Sequence, residues 1–409
     1  MTRFEYAEKL VELSNKYSNF LLDLVPRFGK SIVSTALINK WNPERILILS
    51  GANSTNSQWK ENLEKYNPHL IDKTDLMCYQ SAHKIEDIYD VICLDECDLL
   101  TSNRFSYLKE LNPKHWIGMS GTLEEEDIQI FREITKGKYY HAKVTFNEAV
   151  EWGILPAPKI YSVSLEMDNV NRYLLFHKGK NKKKKPNVVP FPDRWNAYKD
   201  KSRNAIIQCT EVEYHQLVCE EFIRWKSYED EFNLPFEERS QTVQFLQQQG
   251  FTQQICRDNK MRVGNTRKKF FADIKNRHFK KLFSQLPEGS RVLVFCNDTT
   301  QADFLNKEFS VHSNKPGSLE LVEAFNKKEI PYLFSVGQLS RGVDFKDVDY
   351  LVILQSSMKQ GTQVQKFARS GLSVAPKTIL MYYPNTQDEK YVNEFIKQFK
   401  QEWIIKKKL

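Results

Sequence analysis

Two blocks of short apolar runs, separated by amphipathic helical stretches, constrain this chain more than any other feature. The first block comprises FLLDLV (20–25), RILILS (45–50), DLMCY (75–79), DVICLD (90–95) and HWIGMS (115–120). The second comprises RVLVFCN (291–297), YLFSVG (332–337), DYLVILQ (349–355) and TILMYYP (378–384). A run this brief, rich in Ile, Leu and Val, reads as a strand buried on both faces, as in a parallel sheet covered by helices. Alternation of such strands with helices predicts two doubly wound α/β domains.

The chain between the blocks is different. It carries long polar-amphipathic stretches such as EVEYHQLVCEEFIRWKSYEDEF (211–232) and a Lys-rich, Pro-containing segment near 178–192. The expected organisation is a first α/β domain over 1–160, a mainly helical insertion with a basic loop over 161–285, and a second α/β domain over 286–409.

Charge and cysteine content narrow the setting. The net charge of +8 is partly concentrated in KGKNKKKK (178–185) and Lys406 to Lys408. Such runs suit a polyanionic partner, but any single run more often forms a solvated loop or tail, so charge alone decides little. Seven scattered cysteines, an odd number, do not make a disulfide framework and fit a reducing cytoplasm. Cys93 and Cys97 have no second Cys/His pair near them to complete a zinc site and read as buried thiols. The N-terminal stretch is charged and periodic, unlike a signal peptide, and no apolar run approaches the roughly 18 residues of a membrane span, so no membrane is expected.

The stretch LVPRFGKS (24–31) ends like a phosphate-binding loop, GxxxxGK[S/T], with Leu24 at the first glycine position. It lies between a strand pattern and a helix pattern, the context such a loop requires. Backbone N–H groups of the turn and of the helix start face the anion, Lys30 reaches the β/γ-phosphates, and the Ser31 hydroxyl binds Mg²⁺. Gly29 is where a side chain would block close approach. The tripeptide alone would be weak. Downstream, however, the strand YDVICLD ends in Asp95 and Glu96. An acidic pair in that place gives hydrolysis one carboxylate to hold Mg²⁺ and one to orient and deprotonate water.

At this point the chain resembles a family. FGKS, LDECD and MSGT (119–122) resemble motifs I, II and III of superfamily 2 helicases, the group that includes DEAD-box and DEAH-box proteins. VLVFCND (292–298), SVGQLSRGVDF (335–345) and QVQKFARSG (363–371) are similar to motifs IV, V and VI. ILILSGANSTNSQWKENL resembles motif Ia, with Gln58 and Trp59, the latter read as a core residue; CYQSAHKI resembles motif Ib. The resemblance covers both α/β domains and leaves out the insertion. It implies two RecA-like domains with ATP and Mg²⁺ between them and nucleic acid crossing both.

Carried over by position, the resemblance assigns Arg27, Phe28, Gly29, Lys30, Ser31 and Asp95 to the nucleotide, with Ser31 and Asp95 on the metal. Glu96 becomes the catalytic base. Asp98, Ser120, Gly121 and Thr122 couple nucleotide state to domain movement. Gly342 and Asp344 line the nucleotide cleft, Arg369 reaches the γ-phosphate, and Gln365 is the opening glutamine of its motif. Gln80, Ser81 and Arg341 lie on the nucleic-acid side. FNEAVEWGILPAPKIYSV (146–163) looks like the exit from the first motor domain in restriction-enzyme motors, which favours DNA over RNA. The lack of a long accessory domain suggests either a small stand-alone helicase or one piece of a larger replication or recombination apparatus with protein partners.

The departures are Leu372 in place of the last motif VI arginine, Lys366 and Ala368 within that motif, and no glutamine in the first 24 residues to form a Q motif. They motivate an alternative, a helicase-fold factor that binds nucleic acid without productive hydrolysis. A small-substrate phosphotransferase is a further alternative, in which motifs V and VI would have no place.

Overall fold

The computed structural model describes residues 1–51, 53–100, 106–171, 173–175, 207–312, 315–336, 345–354, 367 and 377–409. The first sheet contains β1 (Phe20–Leu24), β2 (Ile46–Ser50), β3 (Thr74–Cys78), β4 (Val91–Asp95), β5 (His115–Ser120) and β6 (Tyr140–Val144). Their order is β3-β2-β4-β5-β1-β6, and every pairing is parallel. All five expected strands form. β1 and β2 are buried at every position because helices cover both faces of the sheet.

The helices of this half are α1 (Arg3–Leu13), α2 (Lys30–Trp41), α3 (Asn53–Tyr66), α4 (Glu125–Ile134) and α5 (Phe146–Glu151). The N-terminus of α1 is fixed by a capping box, Thr2 accepting from the Glu5 N–H and Glu5 accepting from the Thr2 N–H. Tyr6, Ala7 and Leu10 bury one face of that helix, and Tyr6 meets Phe28 edge-on with ring centroids 5.2 Å apart.

β7 (Lys159–Ser164), which straddles the boundary expected at 160, belongs to the second sheet. That sheet also contains β10 (Val292–Cys296), β11 (Ser310–Val311), β12 (Tyr332–Val336), β13 (Tyr350–Ile353), β14 (Lys377–Tyr382) and β15 (Ile404–Lys408). The order is β11-β12-β10-β13-β14-β7-β15, again parallel throughout. β7 therefore crosses from one half of the chain to the other and lies between β14 and the C-terminal strand. The Lys406 to Lys408 run is not a tail: it is the edge of this sheet, where lysines discourage pairing with another chain. Lys408 pairs with Glu166 at 2.5 Å.

Between the sheets, β8 (Tyr173–Leu175) and β9 (Ile207–Cys209) form an antiparallel ribbon. The helices α6 (Glu211–Glu231), α7 (Gln241–Gln248) and α8 (Gln253–Phe283) follow. α6 packs along α8, with Glu229 of α6 held by Arg257 and Lys260 and Glu211 held by Arg277. The expected helical insertion is thus present, but its last helix does not stop at the sheet. Phe270, Phe271, Ile274 and Phe279 of α8 enter the same apolar cluster as Val292, Val294 and Met381. Lys275, fully buried, lies 2.7 Å from Asp388 and donates to the Leu354 carbonyl at 2.8 Å. A buried ion pair of this kind locks register, because either partner alone would be an uncompensated charge.

Helices α9 (Thr299–Leu305), α10 (Ser318–Asn326) and α11 (Gln387–Ile396) complete the second half. Among the described residues no helix is long and apolar enough to cross a membrane. Cys93 and Cys97 are buried free thiols, and no described cluster of His, Cys, Asp and Glu could hold a metal by itself.

Candidate active site

Three loops leave the first sheet at the C-terminal ends of neighbouring strands, the edge at which open parallel sheets bind ligands. The loop after β1 leads to Lys30, the loop after β4 holds Asp95 and Glu96, and the loop after β5 holds Ser120 to Thr122. Register brings them level: Asp95 is opposite Met119, and Ser120 is opposite Asp23.

The loop after β1 is built without its first glycine. Leu24 is still in the strand and fully buried. The turn closes when the Phe28 N–H donates to the Val25 carbonyl at 3.1 Å. Left-handed backbone at Arg27 (φ 66°) and Gly29 (φ 105°) reverses the chain. Arg27 has a side chain there, so the turn stores strain, on the order of 1 kcal/mol or more. Arg3 of α1 steadies it by donating to the Arg27 carbonyl at 3.1 Å. The Phe28 side chain points away from the cleft, wholly buried against Tyr6 and Trp152. It anchors the loop from behind, so any part it plays toward a nucleotide runs through its backbone.

Gly29 is the N-cap of α2 and supplies no side-chain cap. The first N–H groups of a helix have no partner within it and carry the positive end of its dipole. With the half-buried Lys30 and Ser31 in that first turn, this end of α2 suits an anion such as a phosphate.

The acidic loop is held closely. Each oxygen of the Asp95 carboxylate accepts one N–H: Trp59 Nε1 on Oδ2 at 2.7 Å and the Glu96 backbone on Oδ1 at 3.0 Å. Burial raises the pKa of Asp95, opposed by the Trp59 bond, the Lys30 charge and the Glu96 N–H. The Asp95 carboxylate and the Ser31 hydroxyl, at the C-terminal edge of the same sheet, are oxygen donors of the kind that Mg²⁺ takes. Glu96 adopts left-handed backbone at φ 52°. Its carboxylate sits beside Gly51 at the end of β2, where an added Cβ would lie 3.5 Å from Oε2.

The loop after β5 connects the other two. Ser120 donates to Asp98 at 2.8 Å and accepts from the Thr122 N–H at 3.2 Å. Gly121 lies so close to the phosphate-type loop that a Cβ would come within 2.6 Å of Pro26 Cδ and 2.8 Å of the Leu24 carbonyl.

Gln80 and Ser81 lie after β3 on the same edge of the sheet, Gln80 exposed and Ser81 half-buried. The start of that turn touches the acidic loop, since the Tyr79 hydroxyl donates to the Asp95 carbonyl at 2.9 Å. The segment 292–298, which was expected to serve as motif IV, leads into a joint: Asp298 caps α9, and the buried Gln301 bonds the Asn297 N–H and the Ala272 carbonyl of α8. Arg341, Gly342, Asp344, Gln365 and Arg369 lie outside the described residues, as do Lys366, Ala368 and Leu372. Phe367 is described, wholly buried, with its ring 5.3 Å from Phe146 of α5 and 5.2 Å from Phe399.

Trp59 is the residue that sequence reasoning placed but did not use. Its burial was expected; its indole N–H, aimed at the acidic loop, was not. The available signal was the rule that a buried indole needs a hydrogen-bond acceptor.

Residues 274–371 match the helicase conserved C-terminal domain family, the match beginning inside α8. No curated protein matches the chain. Solved structures align along nearly its whole length. One is the crystal structure of the Pyrococcus furiosus Hef helicase domain, 10% identical, covering 95% of this chain and 97% of that one at a TM-score of 0.54. Another is the fragment structure of a putative HsdR subunit of a type I restriction enzyme from Vibrio vulnificus YJ016. It is 14% identical and covers 98% of this chain and 67% of that one at a TM-score of 0.53. At such identities the likeness establishes the fold.

Proposed function

We propose, from the premise that the chain has the superfamily 2 helicase fold and carries a helicase conserved C-terminal domain, that it is a nucleic-acid-stimulated ATPase moving along or separating DNA strands. The observation that carries this reading is the convergence of Lys30 and Ser31, Asp95 and Glu96, and Ser120 to Thr122 on one edge of the first sheet.

Ser31 and Asp95 would hold Mg²⁺, which supplies charge neutralisation for the β/γ-phosphates. The N–H groups at the start of α2 and the Lys30 ammonium bind and orient the triphosphate. Glu96 accepts the proton of the attacking water as its oxygen bonds to the γ-phosphorus and the bond to the bridging oxygen breaks, giving ADP and phosphate. Asp98, through Ser120 and the close Gly121–Leu24 contact, relays the state of the acidic loop to the loop that grips the phosphates. Arg369, assigned from its motif, would supply a guanidinium from the second domain, so that nucleotide draws the two halves together and hydrolysis releases them. Grip on the nucleic acid is electrostatic and therefore salt-sensitive.

The segment 146–163 supports DNA over RNA through its resemblance to restriction-enzyme motors. ATPase assays against single-stranded, duplex and forked DNA and against RNA test this reading. Stimulation by DNA above RNA is expected. Stimulation by RNA alone would overturn the DNA assignment, and stimulation by none would favour the non-hydrolysing binding factor that Leu372 motivates.

A further inference from the structure

Asp95 is the residue on which the proposed chemistry turns, and two aromatic residues from outside its own loop hold it. Trp59, from α3, is 4% exposed and gives its indole N–H to Oδ2 at 2.7 Å. Tyr79, 1% exposed, opens the turn that carries Gln80 and Ser81 and gives its hydroxyl to the Asp95 carbonyl at 2.9 Å. One bond fixes the side chain and the other fixes the backbone.

We propose that Trp59 and Tyr79 are positioning residues that set the Asp95 carboxylate for the metal of a bound nucleotide. The inference rests on the nucleotide reading above and adds residues to it. The geometry is specific. The Glu96 N–H already takes Oδ1 at 3.0 Å, so the indole N–H on Oδ2 completes a pair of donors, one per oxygen, that fixes rotation about the carboxylate plane. Partners that orient a ligating carboxylate in this way change metal affinity about 10–100-fold when removed. Without the indole, Oδ2 would lose its protein donor and the carboxylate could turn.

The arrangement also explains why Trp is present on α3. A Phe would also be apolar enough for the core cluster that Trp59 joins, but it has no N–H to give. Both donors come from the segments, α3 and the Tyr79–Lys84 turn, that resemble motifs Ia and Ib. The metal carboxylate is therefore held by the same elements that present Gln80 and Ser81.

The test compares ADP binding by isothermal titration calorimetry in Mg²⁺ and in EDTA, for the unaltered chain, Trp59→Phe and Tyr79→Phe, with thermal melts as a check on folding. Tyr79→Phe is nearly isosteric and keeps the test open should Trp59→Phe fold poorly. The expected result is that Mg²⁺ strengthens ADP binding in the unaltered chain. Trp59→Phe loses about tenfold of that strengthening and Tyr79→Phe about threefold, with affinity in EDTA unchanged. Two results would overturn the inference alone: variants that keep the full Mg²⁺ effect, or variants that lose affinity equally with and without metal, as a merely structural role would give. No ADP binding by the unaltered chain would overturn the nucleotide reading and this inference with it.

Discussion

The Ser120 hydroxyl donates to Asp98 at 2.8 Å and is the joint between the loops after β4 and β5. Ser120 is 2% exposed, so water cannot stand in for the lost partner. Ser120→Ala should leave ATP hydrolysis within a few-fold of the unaltered chain while strand separation or translocation falls about tenfold, a coupling loss on the order of 1–1.5 kcal/mol. Parallel ATPase and displacement assays check this; equal losses in both would remove the coupling role.

Gly121 and Gly264 should respond oppositely to alanine. At Gly121 a Cβ would meet Pro26 Cδ at 2.6 Å and the Leu24 carbonyl at 2.8 Å, so backbone must shift, at a cost of about 1–3 kcal/mol. At Gly264, inside α8, the nearest atom is Phe222 Cε2 at 3.4 Å, and alanine should add roughly 0.5–1 kcal/mol through helix propensity. Chemical denaturation of both variants, with ADP binding for Gly121→Ala, measures the two effects.

How much of this was legible in the sequence depended on burial. The strands of the first sheet that lie between neighbours are apolar at nearly every position and announced themselves. β6, YHAKV, did not, because His and Lys break its apolar run, whereas β3, the other edge strand, was read from Leu76 and Met77. β15 reads as a charged tail because its edge position tolerates lysine. β7 was not read as a strand, and its pairing with β14, Ile160 opposite Thr378, joins positions too far apart in the chain to be a local property. α8 looked like insertion along its length because its buried half, from Phe270 to Phe279, is masked by interspersed Lys, Arg and Asn. The acidic pair and the Gly-Lys-Ser were legible because the chemistry dictates residue type. The bonds from Trp59 and Tyr79 to Asp95 were not, since any buried Trp or Tyr satisfies the same pattern.

His278 on α8 gives the second half an acid-sensitive point. Burial, then the Arg277 charge, lowers its pKa from 6.5 to about 4. The folded chain keeps the ring neutral, so as pH falls below 6.5 the unfolded chain takes up the proton first. Stability should drop between pH 6.5 and about 4 and level off below. The full shift corresponds to about 3 kcal/mol at the bottom of that window, and solvent screening of the partly exposed ring lowers the expected loss to about 2 kcal/mol. In His278→Gln this portion of the pH dependence should vanish in denaturation midpoints taken across the window. An unchanged slope would place the acid sensitivity elsewhere.

The central claim is that Glu96 is the base of a nucleic-acid-stimulated ATPase whose nucleotide site is formed by Lys30, Ser31 and Asp95. The most direct test is the steady-state ATPase rate of the unaltered chain and of Glu96→Gln, with and without DNA, beside Mg-ADP binding by each. The account predicts stimulation by DNA in the unaltered chain. It also predicts a fall of about 100-fold or more in the variant, the scale of a lost general base, with ADP affinity retained. An unstimulated rate, or a Glu96→Gln rate equal to that of the unaltered chain, would contradict it.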